Sequence, residues 1–100
     1  MGVLAATRIG DADAVHCSQP HRAEGSRDVF LNGIPWSRMT DHNDGHLKPS
    51  GSTCVIHTAP ITTGSPTVFV NGLGAGRVTD DVLGCTFVVE GSPDVYCGPG

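Results

Sequence analysis

Aromatic side chains are scarce in this 100-residue chain: three Phe, one Tyr and one Trp. Leucine is also short, with five copies against eleven of valine. No stretch free of both glycine and proline exceeds nine residues, reached at 11–19 and again at 36–44. That spacing excludes a long helix, a coiled coil and an apolar transmembrane helix together. Basic residues number six and are scattered, against ten acidic ones. A formal charge of −4 with no basic cluster argues against binding nucleic acid or an anionic membrane. Residues 1–10 hold no apolar run of signal-peptide length, which points to synthesis in the cytoplasm. What is abundant is backbone punctuation, 14 Gly and 7 Pro, around short Val-rich runs. The expected fold class is a single small, turn-rich, all-β domain, short of apolar core and in need of a staple.

Four Cys and five His are the compositional excess. The cysteines are Cys17, Cys54, Cys85 and Cys97; the histidines are His16, His21, His42, His46 and His57. Two disulfides would suit a secreted module, whereas a mixed Cys/His metal site suits a reducing compartment. Without a signal peptide the metal site is the preferred reading.

The chain repeats itself. Gly25–Asp41, GSRDVFLNGIPWSRMTD, overlays Gly64–Asp80, GSPTVFVNGLGAGRVTD, with nine of 17 positions identical at a constant offset of 39. A partial third copy is Gly91–Gly98, GSPDVYCG, and Arg8-Ile-Gly-Asp11 supplies the missing tail at the start of the chain. An array that begins and ends mid-unit closes by placing its ends side by side. The repeat therefore predicts pseudo-threefold closure. Asn32-Gly33 and Asn71-Gly72, between short apolar strands, predict type I′ hairpins. Asp11, Asp41 and Asp80 are expected to cap turns or pair with Arg8, Arg38 and Arg77.

Between repeats, the linking segments differ in length and hold all five histidines. Five residues after each repeat aspartate stands His16, His46 or Cys85. Under threefold closure, three metal-binding side chains at one repeat position converge on the axis, as a tetrahedral metal requires of three ligands. The long middle segment can supply a fourth from His57, Cys54 or His42. Cys17, beside His16, is read as packing inward or as a spare thiol, His21 as solvated and Cys97 as a small core residue. Trp36 is read as hairpin packing, with contact to a partner as the alternative.

GSPTVFVNG followed by RVTD, with GSPDVYCG near the end, resembles PAAR-repeat proteins across Arg8 to Gly98. The name-giving stretch reads Pro35-Trp36-Ser37-Arg38 and Gly74-Ala75-Gly76-Arg77 here. The usual Gly-Asp reads Gly10-Asp11 once, then Thr40-Asp41 and Thr79-Asp80. The resemblance implies a small conical fold of three pseudo-threefold hairpin repeats with a metal site near the apex. It implies a ligand set of three His and one Cys, carried over as His16, His46, His57 and Cys85, with zinc favoured and iron next. It further implies a non-enzymatic tip that caps the trimeric β-helical spike of a phage tail or type VI secretion system, one copy per trimer. Such a tip meets a target cell envelope transiently and takes no small-molecule substrate or nucleic acid. Two other classes compete: a small zinc hydrolase, which would show an open metal position, and a disulfide-stapled binding module.

Overall fold

A computed structural model describes residues 4–15, 17–50, 53–83 and 86–98, and of residues 48–50 and 53–55 the backbone alone. The strands it describes are short. In chain order they are β1 (Leu4–Ala5), β2 (Phe30–Leu31), β3 (Ile34–Pro35), β4 (His46–Ser50), β5 (Thr53–His57), β6 (Phe69–Val70), β7 (Leu73–Gly74), β8 (Asp81–Val82), β9 (Thr86–Phe87) and β10 (Tyr96–Cys97). The described residues contain no helix, as the density of Gly and Pro requires.

The two complete repeats form the expected hairpins, β2 with β3 and β6 with β7. Their turns place Asn32 and Asn71 at φ 56° and 55°, and Gly33 and Gly72 at 77° and 80°. Positive φ at both central residues is the type I′ signature, which Asn and Gly adopt at least cost. The third hairpin is built from the two ends of the chain: Leu4 pairs with Cys97 and Ala5 with Tyr96.

Closure is recorded in the backbone. The Thr7 N–H donates to the Gly76 carbonyl at 3.1 Å, Gly76 to Ser37 at 2.9 Å, and Ser37 back to Thr7 at 3.0 Å. Three repeat-equivalent residues thus form one cyclic ring of hydrogen bonds. A second set repeats the pattern with Ile9 to Pro35, Met39 to Gly74 and Val78 to Ala5. The apolar core on the hairpin side follows the same rule. Leu31, Val70 and Cys97 make one equivalent trio; Ala6, Trp36 and Ala75 make another; Val29, Val68 and Val95 pack against them. Trp36 is 9% exposed and its indole N–H donates to the Gly76 carbonyl at 3.0 Å, so it serves as core packing. Cys97 is free and buried, as a small core residue should be.

Each Arg-x-x-Asp element is a turn clamped by its own ends. Asp41 Oδ2 accepts the Arg38 backbone N–H at 2.8 Å and Nε at 2.9 Å, while Oδ1 accepts Nη2. Arg8 with Asp11 and Arg77 with Asp80 repeat this clamp. The aspartate beside each arginine raises the guanidinium pKa through these hydrogen bonds, outweighing desolvation. The third residue of each turn has positive φ: Gly10 at 91°, Thr40 at 79° and Thr79 at 83°. A β-branched residue there is strained, and only the first repeat relieves it with glycine. Each serine of the Gly-Ser turns (Ser26, Ser65, Ser92) accepts the N–H three residues on, at 2.9 Å in every copy.

Asparagines of the hairpin turns stitch neighbouring sectors. Asn71 Nδ2 donates to Asp28 at 2.9 Å, its Oδ1 accepts Arg38 Nη1, and Asn32 links Arg8 to Asp94 in the same way. These amide donors, with Ser26 and Ser92 next, hold the Asp28 and Asp94 carboxyls below the usual carboxylate range. Both groups therefore favour the folded state above that range and lose the contribution as pH falls through their folded pKa.

Two outcomes follow. Thr40→Gly and Thr79→Gly should each raise stability by about 1 kcal/mol in chemical denaturation, because strain relief exceeds the added chain entropy. Asn71→Ala should move the Asp28 pKa up towards the ordinary value in an NMR titration, leaving Asp94 where it is.

Candidate metal centre

On the side of the hydrogen-bonded ring away from the hairpins, each repeat aspartate leads into a linking segment. These segments also pair around the axis: Asp13 with Val88, Asn43 with Arg22, and Val82 with Ile61. One half of the layer is apolar, with Ile61, Val82, Val88 and Ala59 at 0–1% exposure. The other half is polar and equally buried. Arg22 Nη2 donates to Asp13 Oδ2 at 2.9 Å and Nη1 donates to the Asp41 carbonyl at 3.1 Å. Asn43 Nδ2 donates to the same Asp13 oxygen at 3.0 Å, and Asn43 Oδ1 accepts the Ala59 N–H at 2.8 Å. Asp13 and Arg22 side chains are both 0% exposed. Asp13 Oδ1 and Arg22 Nε have no hydrogen-bond partner there. An ion pair in this setting satisfies only part of its hydrogen-bonding capacity, so losing one partner is costly.

Beyond this layer the middle segment rises as the β4–β5 hairpin, whose first register pair is His46 opposite His57. The two rings sit 4.3 Å apart between centroids, tilted by 59°. His46 is 3% exposed, and its Nδ1 lies 2.8 Å from the Asp44 carbonyl oxygen. A carbonyl can only accept, so Nδ1 carries the proton and Nε2 presents the lone pair. A backbone-anchored tautomer of this kind is what a metal-binding imidazole needs. Among the described residues, no group of three or more His, Cys, Asp or Glu side chains gathers to hold a metal.

The structure thus brings two of the four expected ligands, His46 and His57, together. The other two, His16 and Cys85, lie outside the described residues, as does the side chain of Cys54. His42 is directed elsewhere: its Nδ1 lies 3.0 Å from Glu24 and its side chain is 45% exposed. Its backbone N–H donates to the same carboxylate and, with the ring, holds the Glu24 pKa below the usual range. His21 is half exposed, 3.7 Å from Asp44.

Cys17 departs from its reading as an inward-packed or spare thiol, because it is disulfide-bonded. That reading assumed an extended chain, in which neighbouring side chains diverge, but the backbone bends at Cys17 and Ser18. Cys97 is the free cysteine among the described residues, so the partner's side chain lies outside them. The Asp13–Arg22–Asn43 cluster was also missed. Asp13 and Asn43 share a repeat position with Val82, and Arg22 shares one with Ile61 and Val88, and nothing in the local sequence marks the three polar residues as buried.

Residues 53–100 match the family model of the PAAR motif. No curated protein matches the chain.

Asp13→Ala should cost about 3–5 kcal/mol in denaturant unfolding, because it strands a buried guanidinium. The double variant Asp13→Leu/Arg22→Met should recover most of that loss, which a double-mutant cycle would read directly.

Proposed function

We propose that this chain, a PAAR-repeat protein, caps the end of a trimeric β-helical spike as a single copy per trimer. The PAAR motif marks a family of spike-tip proteins of type VI secretion systems and phage tails, and that family is structural. The observation that carries the finer reading is an aromatic trio. Phe30, Phe69 and Tyr96 occupy the same position in the three hairpins and are 52%, 59% and 56% exposed. Each follows a partly buried repeat valine and precedes a residue of the core trio Leu31, Val70 and Cys97. Opposite them stand Pro35, Gly74 and Ala5, which are too small to cover a ring.

One exposed aromatic is ordinary; three at equivalent places about one axis suit a partner with three equivalent sites. A threefold trimer met end-on has that symmetry, and one tip then saturates it. The short strand edges beside these rings leave backbone groups available for pairing with the spike's last strands.

At the opposite end we propose a zinc ion held by His16, His46, His57 and Cys85. A zinc bound there would tie together segments too narrow to bury further apolar area. His46 supports this assignment through its buried ring and fixed Nδ1 proton. In this reading the tip travels with its spike in a virion or a secreted needle, and presents the metal end to the target envelope.

Mixing the chain with the trimeric spike of its own machine should give one tip per three spike chains by light scattering. Replacing Phe30, Phe69 and Tyr96 together by Ser should weaken that capping by at least 100-fold, as each buried ring contributes about 1.5–3 kcal/mol. The melting temperature should change little, because all three rings are already exposed. A spike that stays uncapped by the wild-type chain would overturn the reading.

A further inference from the structure

We propose that Asn32 and Asn71 are deamidation sites guarded by the closed fold, so that a chain which loses closure converts them and returns with weakened seams between its sectors. Each is followed by glycine in the turn of a complete hairpin. A glycine nitrogen, with no Cβ beside it, is the backbone nucleophile best able to reach the preceding amide carbon. Asn43, the third asparagine of the chain, is followed by Asp44 and is buried. Asn32 and Asn71 are exposed, so water reaches them and burial is not their protection.

The guard is the bonding of the amides. Asn71 Oδ1 accepts Ser26 Oγ–H at 2.6 Å and Arg38 Nη1 at 3.0 Å, while Nδ2 donates to Asp28 at 2.9 Å. Asn32 has the equivalent partners: Ser92 at 2.7 Å, Arg8 at 3.1 Å and Asp94 at 2.8 Å. Imide formation has to turn the amide away from all three and rotate a backbone set at positive φ. In that step the glycine nitrogen gives up its proton and bonds to the asparagine Cγ. The bond from Cγ to Nδ2 breaks, and Nδ2 leaves as ammonia with that proton. Water then opens the imide at either carbonyl, leaving aspartate or isoaspartate. Aspartate at 32 or 71 places a carboxylate where a donor faced Asp94 or Asp28, and two carboxylates that close repel or hold one proton between them. Arg8 and Arg38 are the cations facing these sites, and each is already engaged by its own repeat aspartate. Isoaspartate adds a main-chain carbon to a two-residue turn whose register admits none. In the remaining sector Thr67 stands where Asp28 and Asp94 do, so two seams of the three carry the lesion.

Wild-type chain in buffer and in urea would be held at mildly alkaline pH and followed by peptide mass mapping. In urea Asn32 and Asn71 should both convert ahead of Asn43. In buffer each should convert at least about 10-fold more slowly, as a reaction confined to locally opened turns does. Converted chain returned to buffer should unfold at lower denaturant than chain held as long in urea at mildly acidic pH, where imide formation is slow. Asn32→Asp should raise the Asp94 pKa in an NMR titration further than Asn32→Ala does. The rate comparison uses wild-type chain alone, so a variant that fails to fold does not blunt it. Equal rates in buffer and urea would overturn the guard, and conversion in urea no faster than at Asn43 would overturn the sites. Converted chain that unfolds like the acid-held control would overturn the weakening of the seams.

Discussion

The ring of three backbone hydrogen bonds joining Thr7, Gly76 and Ser37 is the constraint on which the rest of the molecule depends. Its members, Thr7, Ser37 and Gly76, lie far apart in the chain, so it cannot form until all three repeats have been brought together. In a closed ring every group is both donor and acceptor, so each bond polarises the next. Strands of two residues are too short to hold a sheet alone. The ring turns five separate pairings into one closed object, and it sets the axis about which the core trios and the exposed aromatics are arranged.

Either side of that ring, threefold equivalence is used differently. On the hairpin side the repeats are obeyed almost residue by residue, and the one large departure, Trp36 against Ala6 and Ala75, fills space about the axis that three alanines would leave empty. On the far side the backbone pairing stays threefold while the side chains do not. Asp13, Asn43 and Val82 share one position, and Arg22, Ile61 and Val88 share another. The hairpin side keeps the symmetry in its side chains, while the far side gives equivalent positions over to a buried ion pair, a long hairpin and a disulfide-bonded cysteine.

The same division explains what could be read from the residues in advance. The hairpins, the pairing of the chain ends and the Arg–Asp clamps were legible because the unit is written twice in full and a third time in two halves at the chain ends, and repetition separates a structural requirement from chance. The positive φ of Thr40 and Thr79 was half legible: the first repeat has Gly10 there, yet threonine normally argues against that conformation. Asp13, Arg22 and Asn43 were not legible. Each is a common surface residue type, and its burial is decided by a partner from another segment. Cys17 was misread for a local reason, since the backbone bends there and the divergence of neighbouring side chains in an extended chain does not apply. His57 could be named only as one of several residues in a long segment; its register opposite His46 is a property of the β4–β5 pairing.

Strain and stapling have a common origin in size. A chain of 100 residues with so few large apolar side chains has little hydrophobic stabilisation to spare. It nonetheless holds two threonines in left-handed turns and a partly satisfied ion pair in its interior. Such features persist only where surrounding bonds over-determine them, and here that surplus comes from directional interactions. The carboxylate clamps hold the strained turns, and the serine and asparagine bridges hold the hairpins to their neighbours. At the far end, where the paired segments thin to one hairpin and a bend, the residues present are those that make covalent or coordinate bonds. A fold with a small core is held more sharply by such bonds than by more apolar area, because they resist displacement within a fraction of an ångström.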